Sequence, residues 1–219
     1  MRAKPNNPHW SSPMIRIIIV LAALGLAACS PGAPAPSEPP RAVIETALGD
    51  ITVEMNPDAA PITVSNFIMH AEAGVYDGGA FYRAVRDDNE RPDVEPMNLI
   101  QGGHGLAPLE GAAGIAHEPT TQTGLTHSRG AISMGRFEVG TAATEFFIMV
   151  NDYPGLDAGP GTRNPDEAGY AVFGRVVDGM EVVEAIWGQP TSLTNAPEDY
   201  QHPQYMDARI VIERIRIFD

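Results

Sequence analysis

Between Ala42 and Ile217 the apolar residues fall into short runs broken by clusters of Gly, Pro, Asp and Asn, and this punctuation restricts the chain to many short strands. Ile51, Val53 and Met55 alternate with Thr52 and Glu54 behind the turn signal Leu48-Gly49-Asp50, so Ala42–Met55 reads as a hairpin. Further β-prone pieces are Ala80–Val85, Leu99–Gln101, Gly130–Met134, Glu145–Val150 and Ala171–Val177. Near the C-terminus Ile210 and Ile212 alternate in one phase and Ile215 and Ile217 in another, which requires a bulge or bend near Glu213. Only two stretches carry helical spacing. Pro61 opens one in which Val64, Phe67, Ile68 and Ala71 share a face, with Gly74 as its stop; Met180–Trp187 forms the other, with Val182, Val183 and Ile186 facing inward. This pattern predicts a mainly β fold, a closed barrel capped at its ends by helices. No internal repeat is present.

The N-terminal segment has a different character. Arg2, Lys4 and Arg16 precede Ile17–Ala28, which is apolar throughout except for Gly25, the layout of a signal peptide. Twelve residues are too few to span a bilayer comfortably. The run ends Leu26-Ala27-Ala28-Cys29 and resembles the bacterial lipobox, so residues 1–28 are expected to be removed and Cys29 to carry the lipid; Met14 is a second possible start. Cys29 is the single cysteine of the chain, which excludes an intramolecular disulfide. Pro, Ala, Ser and Gly dominate residues 30–40, making 29–40 a lipidated, extended spacer and 41–219 the folded domain. Without Arg2, Lys4 and Arg16, 11 basic residues face 28 acidic ones, a net charge of −17 that disfavours nucleic acid as a partner. Two polar stretches, Arg86–Met97 and Ala158–Ala168, read as solvated surface insertions.

Five motifs occur in order: Phe81-Tyr82-Arg83-Ala84-Val85, Leu99-Ile100-Gln101-Gly102-Gly103, Ile132-Ser133-Met134, Glu145-Phe146-Phe147-Ile148 and Tyr170-Ala171-Val172-Phe173-Gly174. Together they resemble the cyclophilin family, over the whole domain from Val43 to Ile217. The resemblance implies an eight-stranded antiparallel barrel closed by two helices, and peptidyl-prolyl cis/trans isomerase activity on proline-containing polypeptides. It implies no cofactor and a monomer.

Rotation about a prolyl bond is opposed by roughly 18–20 kcal/mol because amide resonance must be broken. No covalent bond changes, so help must come from a donor that favours the twisted state, whose pyramidal nitrogen can accept a hydrogen bond. By resemblance that donor is Arg83, always charged and rich in N–H groups, and Gln101 bonds the substrate and steadies the site. Leu99, Phe147 and Leu156 match the positions lining the proline slot, and Gly135 and Arg136 those whose backbone pairs with the substrate chain. Tyr82, Asn98, Glu145 and Tyr170 complete the substrate-binding set. Asn98 stands where a phenylalanine is usual, with Met97 as an alternative apolar wall; Tyr170 replaces a common histidine and Glu145 a common glutamine. Gly155 stands where many members carry the tryptophan associated with tight cyclosporin binding. The departure at Asn98 leaves a second reading, a catalytically weak peptide-binding chaperone or scaffold.

Other chemistry finds little support. His104, His117 and His127 lack the tight spacing of metal ligands, and Gly102-Gly103-His104-Gly105 lacks the Lys-Ser/Thr of a phosphate loop. Ser128 and Ser133 have no nucleophile-elbow context. With Cys29 lipidated, the domain is expected in the bacterial cell envelope facing the periplasm, and Ser30, in place of a retention aspartate, leans toward the outer membrane.

Overall fold

The computed structural model describes residues 38–105, 109 and 111–218. Residues 1–37, with the expected signal peptide, Cys29 and most of the expected spacer, lie outside them. The first hairpin pairs β1 (Arg41–Thr46) with β2 (Gly49–Met55), in register from Arg41 opposite Glu54 to Thr46 opposite Gly49. Then come β3 (Ala80–Val85), β4 (Leu99–Gly103), β5 (Ala131–Met134), β6 (Phe146–Met149), β7 (Ala171–Asp178), the short β8 (Thr191–Ser192) and the long β9 (Tyr205–Phe218).

Neighbouring strands follow the order β1-β2-β7-β5-β6-β4-β3-β9, and β9 returns to β1, so eight antiparallel strands close on themselves. Closure removes the unpaired edges that an open sheet would expose. β8 adds only a short pairing to the start of β9. The phase change in the last strand is a bulge at Glu213, since Glu45 faces Arg214 while Thr46 faces Ile212. It lets one 14-residue strand pair with β1 and then β3.

Helix α1 (Pro61–Glu72) begins beyond the Met55 end of β2 and buries Val64, Phe67 and Ala71. Phe67 meets Tyr76, Phe146 and Phe173 with ring centroids 5.1–5.6 Å apart, an aromatic plug in the core. Its N-terminus has no cap from its own sequence; the buried Glu118 carboxylate instead accepts Ile62 N–H at 3.1 Å and Thr63 N–H at 2.8 Å. A negative group there satisfies orphan donors and opposes the helix dipole. Helix α2 (Thr120–Thr123) is a single turn that the sequence reading missed, because four polar residues carry no periodicity. Helix α3 (Met180–Trp187) sits at the hairpin-turn end, with Val182 against Gly49.

Alternation divides the sheet residues into two apolar clusters. Ile100, Ile132, Phe146 and Ile148 join the main core with Phe67 and Phe173. Leu99, Ala131, Phe147 and Met149, their neighbours one residue along, form a second cluster on the opposite face with Val85, Met97, Tyr153, Leu156 and Val172. The two loops read as solvated insertions do ride on the surface, most of their residues being exposed or half-buried, but they are tied to each other by a few buried groups. Asn89 is buried, the Glu90 side chain is 3% exposed, and Arg163 of the second loop reaches Glu90 at 2.8 Å and the Glu95 carbonyl at 3.3 Å. Pairing with Arg163 lets the Glu90 side chain leave water while its neighbours Asp88, Arg91 and Asp93 stay exposed.

Candidate active site

Arg83 lies on β3 directly opposite Gln101 on β4, and Gln101 lies opposite Phe147 on β6, so three of the motifs meet in one cross-strand row. That register depends on a bulge: Phe81 faces Gly102 and Arg83 faces Gln101, which leaves Tyr82 outside the ladder and turns it toward Glu145. The two glycines after Gln101 are a steric requirement. A Cβ on Gly102 would stand 2.8 Å from the Ala80 carbonyl oxygen, and one on Gly103, at φ +151°, 2.6 Å from that of Thr144.

The Arg83 guanidinium donates from Nη1 to Gln101 Oε1 at 2.8 Å, from Nε and Nη2 to Gln204 Oε1 at 3.0 and 2.7 Å, and from Nη2 to the Tyr200 hydroxyl at 2.8 Å. Four of its five N–H groups are thereby engaged, and among the described residues one Nη1 N–H has no acceptor. Because a guanidinium can only donate, Gln101 must turn its oxygen toward Arg83, and its NH2 group points away with no partner among the described residues.

Beside this polar centre lies the second apolar cluster. Leu99, Phe147 and Leu156 are buried there with Met97, and Tyr170 packs edge-on to Phe147 at 5.3 Å. Asn98, between Met97 and Leu99, pairs through its backbone, its carbonyl accepting Val150 N–H at 2.8 Å and its N–H donating to Asn151 Oδ1 at 3.3 Å, while its side-chain oxygen is buried with no partner among the described residues. Phe147 is backed by the buried His127 ring, stacked at 5.8 Å. His127 is held between Asp157 Oδ1 at 2.7 Å and Ser133 Oγ at 3.1 Å, an order that imitates a hydrolase triad. Ser133 is wholly buried, so no substrate carbonyl reaches it, and the trio serves to fix the wall behind Phe147.

On the other flank, Glu145 accepts the Tyr82 hydroxyl at 2.6 Å and Gly105 N–H at 3.0 Å, and its carbonyl takes Gly135 N–H at 2.7 Å. Burial pushes the Glu145 carboxyl above the usual carboxylate range, against the pull of these donors. Burial, followed by the Glu145 charge, raises the Tyr82 phenol, which stays a proton donor. Arg136 turns away from solvent: its guanidinium grips Asp166 through two bonds of 2.7 and 2.9 Å, donates to the Gly169 carbonyl, and lies over the Tyr170 ring at 5.2 Å. Tyr200, Gln204 and Tyr205, which stacks on Tyr82, escaped the sequence reading because they lie in an aperiodic stretch far from Arg83 along the chain. His104 and His117 each bond a backbone carbonyl, and no cluster able to hold a metal occurs among the described residues.

A family model for cyclophilin-type peptidyl-prolyl cis-trans isomerases matches residues 41–205. This chain is a cyclophilin. Its domain is 33% identical over 158 residues to a peptidyl-prolyl cis-trans isomerase of Streptomyces antibioticus, covering 71% of this chain and 88% of that one. It is 34% identical over 169 residues to peptidyl-prolyl cis-trans isomerase A of Dickeya dadantii, covering 76% and 80%. The barrel also superposes on a Cryptosporidium parvum cyclophilin crystallised in the presence of the dipeptide Ala-Pro. There the TM-score is 0.59 and the identity 22%, with 82% of this chain and 99% of that one covered. In this cyclophilin, the Phe-x-Arg and Gln-Gly-Gly segments that carry the family resemblance form the Arg83–Gln101 pair.

Proposed function

We propose that this chain accelerates cis/trans rotation about X-Pro bonds of proline-containing polypeptides, with Arg83 as the donor to the twisted amide. The observation that carries this reading is the fixed guanidinium with one uncommitted N–H, next to an apolar wall built from Phe147, Leu99, Leu156 and Met97. A proline ring against that wall is held by apolar burial, at about 25 cal/mol per Å². The Gln101 NH2 group is placed to donate to a substrate carbonyl, fixing one side of the rotating bond. As the prolyl nitrogen becomes pyramidal, its lone pair meets the free Arg83 N–H, an interaction stronger in the twisted state than in either planar isomer. No cofactor is needed. The Ala-Pro dipeptide named with the Cryptosporidium parvum structure supports the same substrate class.

The test is the rate of cis-to-trans conversion of a short X-Pro peptide. Arg83→Ala should lose most activity while keeping the parent's melting behaviour, and Arg83→Lys should also fail, since an ammonium cannot hold three acceptors in a planar fork. An Arg83→Ala variant as fast as the parent would refute the assignment.

The reading extends to the envelope of a bacterial cell. Leu26-Ala27-Ala28-Cys29 and the spacer behind it support a lipid anchor at Cys29 that presents the domain to periplasmic polypeptides, at the outer membrane by the weak indication of Ser30. The acidic domain would act as a monomer and avoid nucleic acid.

A further inference from the structure

Gln204 is the only fully buried glutamine among the described residues, and it sits against the one arginine that the site reading assigns to catalysis. Its Oε1 accepts from Arg83 Nε, Arg83 Nη2 and the Tyr200 hydroxyl, three donors on one oxygen. Its Nε2 is held in turn by the Asn89 carbonyl at 3.1 Å and by Glu90 Oε1 at 3.4 Å. Asn89 donates to the Ala84 carbonyl on β3, the residue after Arg83, and Ala84 N–H bonds the Gln204 carbonyl. Glu90 is fixed from outside by Arg163. Tyr200 adds its hydroxyl to Nη2, and its ring lies 5.6 Å below the guanidinium carbon.

We propose that Gln204 and Tyr200 are positioning residues for Arg83, a clamp that fixes the plane of the guanidinium and leaves one N–H toward the prolyl nitrogen. The inference rests on Arg83 being the donor. Two physical points carry it. An arginine with three rotatable bonds beyond Cβ points reliably only if its fork is over-determined, and Gln101 alone holds one N–H of five. A buried amide cannot stay unpaired, so Gln204 is committed to this geometry by its own burial and by the Asn89–Glu90 loop beneath it. Displacing a catalytic group by about 1 Å can cost on the order of a hundredfold in rate.

The experiment compares the full-length chain with Gln204→Leu, Gln204→Glu combined with Glu90→Gln, Tyr200→Phe and Arg83→Ala, measuring kcat and KM for a short X-Pro peptide. The Arg83 Nε–H resonance, assigned by its loss in Arg83→Ala, is followed alongside. Gln204→Leu removes the acceptor at similar volume and should lower kcat about tenfold or more with KM within about twofold, a shift of roughly 1.4 kcal/mol in the barrier. Tyr200→Phe should lower kcat several-fold, and the slowed exchange of the Nε–H should disappear in Gln204→Leu. Gln204→Glu, made together with Glu90→Gln so that no second carboxylate faces it, keeps an acceptor oxygen for Arg83 and should retain more kcat than Gln204→Leu. Should Gln204→Leu not fold, Tyr200→Phe and that double variant decide. Parent-like kcat in folded Tyr200→Phe and Gln204→Leu, beside an inactive Arg83→Ala, overturns the clamp alone. An active Arg83→Ala overturns the donor assignment and the clamp with it.

Discussion

Arg163 and Glu90 meet at 2.8 Å with side chains only 14% and 3% exposed, and they tie together two loops that lie 73 positions apart in the chain. Removing one partner of a buried pair leaves the other charge uncompensated, which costs about 3–5 kcal/mol when burial is complete and somewhat less here. Arg163→Ala should therefore lower stability by roughly 2–3 kcal/mol in urea denaturation. Glu90→Gln should recover part of that loss in the double variant, a coupling that an independent pair of surface side chains would not show.

Glu145 gives the stability a sign with respect to pH. Its folded-state carboxyl titrates above the unfolded value of 4.5 because it is buried, so the folded protein holds this proton more tightly than the unfolded chain. The stability it contributes is present below pH 4.5 and is lost as pH rises through the folded pKa. Glu145→Gln, which cannot ionise, should gain on the parent across that rise, seen as a difference in melting temperature that moves in its favour with pH. A difference independent of pH would mean that the carboxyl is not desolvated.

Gly155 and Tyr153 bear on drug binding. A Cβ on Gly155 would lie 2.6 Å from Tyr153 Cε1, and the Tyr153 hydroxyl is bound to the Glu95 carbonyl at 3.0 Å. The place where related proteins are expected to offer a tryptophan is therefore filled by a tyrosine ring packed inward, with no indole N–H to donate. Cyclosporin should inhibit this enzyme poorly while peptide turnover persists. Gly155→Trp should destabilise the protein and should not create tight inhibition. A cyclosporin titration of peptide turnover by the parent and the variant checks both.

Cys29 should carry the lipid that anchors the chain. Stable attachment needs two or more acyl chains, at roughly 0.8 kcal/mol per buried methylene. Cys29→Ser should move the protein from the membrane fraction to the soluble fraction, and an unmodified thiol in a soluble parent protein would remove the anchor from the account.

Much of the barrel was written in local order. β-prone residues between turn clusters placed β3 at Ala80–Val85, helical spacing placed the helix at Met180–Trp187, and the phase change around Glu213 announced the bulge, because a strand's two faces differ in solvent and its sequence must say which is which. The five motifs likewise brought Arg83, Gln101 and Phe147 together, since the sheet register then sets them in one row. What alternation cannot convey is which of two buried faces is core. Phe146 and Phe147 look alike in sequence, and only closure of the barrel sends one inward and the other to the second cluster. The supports of the site were equally hidden. Gln204, Tyr200, Glu90 and Glu118 are polar residues in aperiodic segments, and hydrogen bonds that span from 56 to 121 residues leave no local trace. Their burial becomes tolerable only when the folded chain supplies partners, so the tertiary structure alone decides that Arg83 is held rather than free.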